Sequence, residues 1–270
     1  MANARYGMVV DVDRCTGCGN CMTACAVENN VAPAEPRATP RTGVTWMRVF
    51  PVNNGMAYPD NKTGFVPMMC QQCGKDTPCV SVCPQNAVDV DPTTGIVGQV
   101  PQRCLGCRYC MTACPYHARF FNWWDPSWPE GMEQTLNPDV APRMRGVVEK
   151  CNFCHGRLHA AMEQAASGGS AAGTPVDYVP ACVEACPTQA IVFGDLDDPA
   201  SAVARLSRQE DTFRMLPALG TEPKVYYHTE RSWMREKLSS VPGAPEAAVA
   251  SGTVTRRDFL MGLRKGQHNG

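Results

Sequence analysis

Sixteen cysteines fall into four groups of four, spaced as ligands to iron-sulfur clusters are spaced. The first group is Cys15, Cys18, Cys21 and Cys25 in CTGCGNCMTAC, and the second is Cys70, Cys73, Cys79 and Cys83 in CQQCGKDTPCVSVCP. The third is Cys104, Cys107, Cys110 and Cys114 in CLGCRYCMTACP. The fourth is split, with Cys151 and Cys154 in CNFC and Cys182 and Cys186 in CVEACP. A cubane [4Fe-4S] cluster needs four thiolates at tetrahedral corners. C-x2-C-x2-C can wrap three corners in one loop, and the fourth comes from elsewhere. In two-cluster ferredoxins the fourth is the Cys-Pro cysteine of the other motif.

Two other uses of these thiols explain less. Disulfide partners need Cα atoms within about 7 Å and suitable orientation, whereas C-x2-C-x2-C crowds three thiols into one short loop as poor mutual partners. Zinc takes four ligands, often from C-x2-C pairs. It leaves unexplained a third cysteine at the same spacing and a fourth one helical turn later, before proline. Four cubanes use all sixteen.

The elements that must hold these loops are short. CMTAC occurs at Cys21 to Cys25 and again at Cys110 to Cys114, which marks a duplicated ferredoxin-type unit. Gly17, Gly19 and Gly106 lie where backbone must approach a cluster. Helices are expected to begin at the third cysteine of each group, so that cysteines three and four lie one turn apart and proline ends the element. Ala87 to Val90, the turn DPTTG and Ile96 to Val100 read as a β-hairpin. Further short strands are expected at Met8 to Val12, Thr45 to Phe50, Phe65 to Met68, Ala190 to Phe193 and Lys224 to Tyr227. One more helix is expected from Asp198, as N-cap with Pro199 at the first position, through Arg205. Residues 26 to 44, 165 to 175 and 240 to 252 read as insertions or linkers.

The bulk composition restricts the partners. The chain has 270 residues, 44% of them hydrophobic, and a formal net charge of −1. A near-neutral chain gives no basis for a nucleic-acid partner. No run of about 20 apolar residues is present, so no segment is expected to span a bilayer. The opening MANARYGMVVDVDRC offers no apolar signal-peptide core, so export would depend on something else. Apolar content is modest for this size, so the clusters themselves are expected to serve as core, and the iron-free chain to be largely unfolded.

The four groups, together with CPYHARFFNWW, KCNFCHGRL, CPTQAIVFGDLDDPASAVARL and KVYYHT, resemble the four-cluster ferredoxin-like subunit of the DMSO reductase and polysulfide reductase family. The likeness covers roughly residues 5 to 230. Within the family the chain looks most like the members that serve menaquinone reductase (Qrc) complexes of sulfate-reducing bacteria. The resemblance implies an α+β fold of two nested, pseudo-symmetric bacterial-ferredoxin-like units with short strands and helices and long loop insertions. Residues 1-69 and 115-230 would form the outer unit, residues 70-114 the inner unit, and residues 231-270 a C-terminal tether and basic tail. It also implies the ligand sets. One cluster would take Cys15, Cys18, Cys21 and Cys186, and a second Cys25, Cys151, Cys154 and Cys182. A third would take Cys70, Cys73, Cys79 and Cys114, and a fourth Cys83, Cys104, Cys107 and Cys110. Some relatives carry a [3Fe-4S] cluster after losing a ligand. All four sets are complete here, which permits four cubanes without proving any one of them. Group one departs from the pattern in ending Cys25-Ala26 rather than Cys-Pro.

By the same resemblance the chain relays single electrons in an oxidoreductase complex. Its partners would be a molybdopterin-family subunit, a multihaem cytochrome c subunit and an integral-membrane quinone-binding subunit, with menaquinone as the acceptor. A free-standing soluble polyferredoxin is the alternative, and the extensions at 26 to 69, 115 to 150 and 231 to 270 favour a complex. An enzyme using radical chemistry at an open iron would need a three-cysteine cluster, which nested pairing does not leave. The periplasmic face of the inner membrane, reached by co-export with a signal-bearing partner, is the expected location, with the cytoplasmic face as alternative. His117, His155 and His159 lie near cluster cysteines but are expected beyond the ligand shell. Met22 and Met111 are expected to pack helices. Trp123, Trp124 and Trp128 mark either an interface or local packing. The tail TRRDFLMGLRKGQ reads as a basic amphipathic docking segment or a solvated end.

Overall fold

The loops of groups one and three each turn on a glycine that tolerates no side chain. Gly17 and Gly106 have φ of +76° and +75°, and a Cβ there would stand 2.6 Å from the Phe65 ring and 2.4 Å from the Gly146 carbonyl oxygen. Each loop then feeds a short helix.

The computed structural model describes residues 4–39, 42–170 and 176–239. Strand β1 (Tyr6–Asp11) leads to helix α1 (Asn20–Glu28), and β2 (Arg48–Asn53) pairs with β3 (Thr63–Met68). Helix α2 (Pro78–Ser81) precedes the pair β4 (Val88–Val90) and β5 (Val97–Gln99). Helix α3 (Tyr109–Ala113) follows, then β6 (Phe120–Phe121), β7 (Val148–Glu149), α4 (His155–Ser167) and α5 (Ala181–Glu184). The last elements are β8 (Ile191–Asp195), α6 (Ala202–Ser207), β9 (Thr212–Phe213), β10 (Val225–His228) and α7 (Ser232–Ser239).

Helices α1, α2, α3 and α5 each start one residue before the third cysteine of their group, close to expectation. Where proline follows the fourth cysteine, the helix stops before that cysteine. With Ala26 in that place, α1 runs on to Glu28. The main sheet has the order β8-β1-β10-β9, with β1 parallel to β10 and antiparallel to β8. Strand β1 enters group one and β8 leaves group four, so the sheet joins the two ends of the cysteine pattern. Helix α1 packs on α5 and α2 on α3. Arg157 on α4 reinforces the first contact, with Glu28 of α1 at 2.8 Å and Glu184 of α5 at 2.6 Å.

The cysteines belong to the core. Cys21, Cys25, Cys70, Cys73, Cys114, Cys151 and Cys182 share one buried cluster with Met8, Val10, Trp46, Phe153, Leu158 and Tyr227. Cys79 and Cys110 share a second with Val88, Val97 and Val148. Met22 and Met111 pack against these clusters, as expected of them.

Three expectations change. Helix α6 begins at Ala202, and its cap is Ser201, whose Oγ accepts from the Ala204 N–H at 3.1 Å. Asp198 instead closes the preceding turn, accepting the Ala200 N–H at its carboxylate and the Ser201 N–H at its carbonyl. Residues 26–28 belong to α1 and 165–167 to α4, not to linkers. Residues 240 to 252 and the basic tail lie outside the described residues.

Candidate iron-sulfur cluster sites

Three of the four groups share a turn that follows the Cys-Pro pair. In Cys83-Pro-Gln-Asn86-Ala87, Cys114-Pro-Tyr-His117-Ala118 and Cys186-Pro-Thr-Gln189-Ala190, the fourth residue is left-handed, with φ of +47°, +49° and +52°. That turn aims the alanine N–H back at the sulfur. Ala87 donates to Cys83 Sγ and Ala190 to Cys186 Sγ, each at 3.2 Å, and Ala118 N–H lies against Cys114. An N–H aimed at sulfur favours the thiolate that a metal needs. Group one lacks the proline and the turn. There the Asn29 side-chain amide lies 3.9 Å from Cys25 Sγ and 3.8 Å from Cys154 Sγ.

The thiols gather in four neighbourhoods. Cys15 and Cys21 are in electrostatic contact with Cys18 and Cys186. Cys25 is in contact with Cys151, Cys182 and Cys154. Cys73 is in contact with Cys70, Cys114 and Cys79. Cys83, Cys104, Cys107 and Cys110 line one small cavity. Successive neighbourhoods act on one another electrostatically: Cys21 on Cys25 and Cys182, Cys70 on Cys151, and Cys79 on Cys110. The second and third are wholly buried. The first includes exposed Cys18 and half-buried Cys15 and Cys186, and the fourth includes half-buried Cys83, Cys104 and Cys107.

Burial dominates the titration of these thiols. It pushes Cys21 and Cys114 up to about 11 and Cys73 and Cys151 up to about 12, while Cys25 and Cys182 rise well above the ordinary thiol value. Buried thiols of this kind release protons when they take up metal. Cys83 moves the other way: burial raises it, but N–H groups of Gln85, Ala87 and Val88 together outweigh that. Four thiols in a closed pocket suit a metal cluster, and a cluster's negative charge matches the cations buried around them. Lys150 is 1% exposed, its Nζ donating to Cys151 O at 2.9 Å and to Val97 O. Lys224 is 2% exposed, its Nζ 3.3 Å from Cys73 O, and burial pushes it down to about 8 against the opposing pull of Cys70 and Cys73. Arg119 is buried beside Cys79 and Cys110. Buried charges are costly unless paired, and here the counter-charge is sulfur.

The histidines serve the surroundings. His117 forms the left-handed position of its turn, and its carbonyl accepts from Arg48 at 2.8 Å. His155 and His159 face one another on α4 with ring centroids 4.3 Å apart. Trp123 packs locally, edge-on to Phe121 and beneath the Arg108 guanidinium. Trp128 lines an open apolar groove of about 390 Å³ with Met22, Val27 and Met132.

The two exposed ends differ in character. Around Cys18 the exposed residues include Arg14, Thr16, Asn20, Thr23 and Gln189, with the apolar Pro187 and Val27 nearby on the same segments. Around Cys83, Cys104 and Cys107 they include Val82, Val100, Leu105 and Tyr109, with Arg103 and Arg108 between them and the polar Ser81, Gln85, Asn86 and Gln102 alongside, and Leu105 and Tyr109 are 54% and 62% exposed.

Two family models, each described as a 4Fe-4S dicluster domain, match residues 7–84 and 61–129. The chain is 51% identical, over 86% of its length and 91% of the relative's, to the menaquinone reductase iron-sulfur cluster-binding subunit of Nitratidesulfovibrio vulgaris. It is 38% identical, over 91% of its length and 89% of the relative's, to a Halobacterium salinarum protein named as a dimethyl sulfoxide reductase iron-sulfur subunit. Identity to the arsenate respiratory reductase iron-sulfur subunit of Shewanella sp. is 34%, over 83% of this chain and 95% of that one.

Proposed function

Since this chain belongs to the family of iron-sulfur electron-transfer subunits of multi-subunit reductases, we propose that its four [4Fe-4S] clusters form one row from the polar end to the apolar end. Each cluster, when bound, takes up and passes on single electrons. The reading assigns the first cluster to Cys15, Cys18, Cys21 and Cys186 and the second to Cys25, Cys151, Cys154 and Cys182. It assigns the third to Cys70, Cys73, Cys79 and Cys114 and the fourth to Cys83, Cys104, Cys107 and Cys110. The observation that carries it is the order of electrostatic interactions among the thiols, in which each neighbourhood acts on the next, together with burial, since only the two terminal ones reach solvent. The packing of α1 on α5 and α2 on α3 supports a nested arrangement, with an outer unit of residues 1-69 and 115-230 around an inner unit of residues 70-114.

The chain serves a menaquinone-reducing complex, a reading drawn from the 51% identical relative. The apolar, basic rim around the fourth set suits an integral-membrane quinone-binding subunit, and the polar rim around the first suits a molybdopterin-family subunit. A multihaem cytochrome c subunit would supply the electrons. Among the described residues no helix is long and apolar enough to cross a membrane, so attachment falls to those partners. We place the complex at the periplasmic face, with export alongside a signal-bearing partner, and keep the cytoplasmic face as the alternative. Relatives named as reductase subunits leave less support for a free-standing polyferredoxin. Purifying the native complex, identifying its subunits and following its EPR signals through a redox titration tests this. Four one-electron centres and a menaquinone-reactive membrane subunit are expected. A chain that purifies alone and shuttles electrons by diffusion would overturn it.

A further inference from the structure

Arg119 follows the Cys114 turn and is 4% exposed. Its Nη2 donates to Gln99 Oε1 on β5, while Nε and Nη1 are buried with no hydrogen-bond partner among the described residues. The strongest electrostatic partners of the guanidinium are Cys79, Cys110 and Cys70. Cys83 feels the same charge. Gln99 is neutral and cannot balance a buried cation, and no carboxylate is among those partners. The buried guanidinium thus acts electrostatically on cysteines of two sets, Cys70 and Cys79 of one and Cys83 and Cys110 of the next.

We propose that Arg119 is a potential-setting residue shared by the third and fourth clusters, a role that rests on the ligand sets proposed above. Adding an electron makes a cluster more negative, so a fixed cation held against both favours the reduced state of each. Its Nε and Nη1 N–H groups, which have no partner among the described residues, are free to donate to cluster sulfur when the clusters are bound, and such bonds raise the reduction potential. Lys150 also acts on Cys79 and Lys224 on Cys70 and Cys73, all of the third set, whereas Arg119 acts on both sets. Lys150 donates to the carbonyls of Val97 and Cys151, and Lys224 to that of Cys73.

The test is an EPR-monitored redox titration of the intact complex carrying Arg119→Gln or Arg119→Lys. With Gln, two of the four midpoint potentials should fall, each by at least about tenfold in the reduction equilibrium, which is 59 mV for one electron. The other two should stay in place. Lys keeps the charge without the planar fork and should restore most of the shift. Four unchanged potentials, or four that shift alike, would overturn the proposal. Should the Gln variant lose a cluster, Gln99→Glu decides: it leaves Arg119 in place, sets a carboxylate against it, and should lower the same two potentials by less. No shift in that variant, with all four clusters present, would overturn the proposal equally. Failure of the ligand sets would appear separately, with Arg119 intact, as Cys70→Ser and Cys79→Ser removing different signals.

Discussion

The two terminal cysteine neighbourhoods come from the same CMTAC repeat yet present opposite faces. At the first end, Gly19 caps α1 in the left-handed conformation, and the exposed side chains around Cys18 include Arg14, Thr16, Asn20 and Thr23. At the other end Arg108 takes the equivalent cap with φ of +61°, and its guanidinium lies over Phe121 and Trp123. Around it stand Leu105, Tyr109, Val82 and Val100. The cluster loop is the same device twice, and the residues between the cysteines decide what it can dock against. Exposed apolar side chains beside arginines suit a partner that buries them, and polar ones suit a wetter contact.

Iron removal should separate the ends most strongly. Cys18 is the exposed ligand candidate, so a chelator should strip the polar end first, the half-buried apolar end next, and the interior sets only as the chain unfolds. Loss of iron followed alongside far-UV circular dichroism checks the order. A single concerted loss with secondary structure retained would contradict it.

Next in size is the docking contrast. Leu105→Asp with Tyr109→Asp should remove two apolar anchors, each worth about 2 kcal/mol at an interface centre, and so weaken assembly with the proposed membrane subunit by about 700-fold. Thr16→Asp with Thr23→Asp should leave that assembly unchanged. Co-purification of the membrane subunit reads both, and equal effects from the two pairs would erase the distinction between the ends.

The smallest effect lies in the caps. Gly19→Ala should cost about 1 kcal/mol from backbone strain alone, since a Cβ there meets nothing within 4 Å. Arg108→Gly should relieve a similar strain while giving up a cation–π contact of about 0.5–1 kcal/mol, leaving stability nearly unchanged. The temperature of cluster loss should fall by about 2–4 °C in the first variant and stay within about 2 °C in the second.

Much of this could be read from the chain. Cysteine spacing gave the four groups, hydrophobic alternation with DPTTG gave the inner hairpin, and the third cysteines gave four helix starts to within one residue. The repeat CPQNA, CPYHA and CPTQA was equally visible, and was missed because its residues at the left-handed position are Asn, His and Gln rather than one recurring type. Helix α4 was missed as well, although HAAMEQAAS is rich in good helix formers. Arg119, Lys150 and Lys224 carried no such signal. Charged residues are ordinarily solvated, and only the placing of thiols from distant segments shows which ones are buried.

The central claim is that each group lends its last thiolate to another group's cluster, and Cys25 tests it most directly. It sits between Cys21 of its own loop and Cys151, Cys154 and Cys182 of group four. The EPR signal removed by Cys25→Ser should be the one removed by Cys151→Ser, with the signal lost in Cys15→Ser left intact. Loss of the Cys15 signal alone would contradict the nested row.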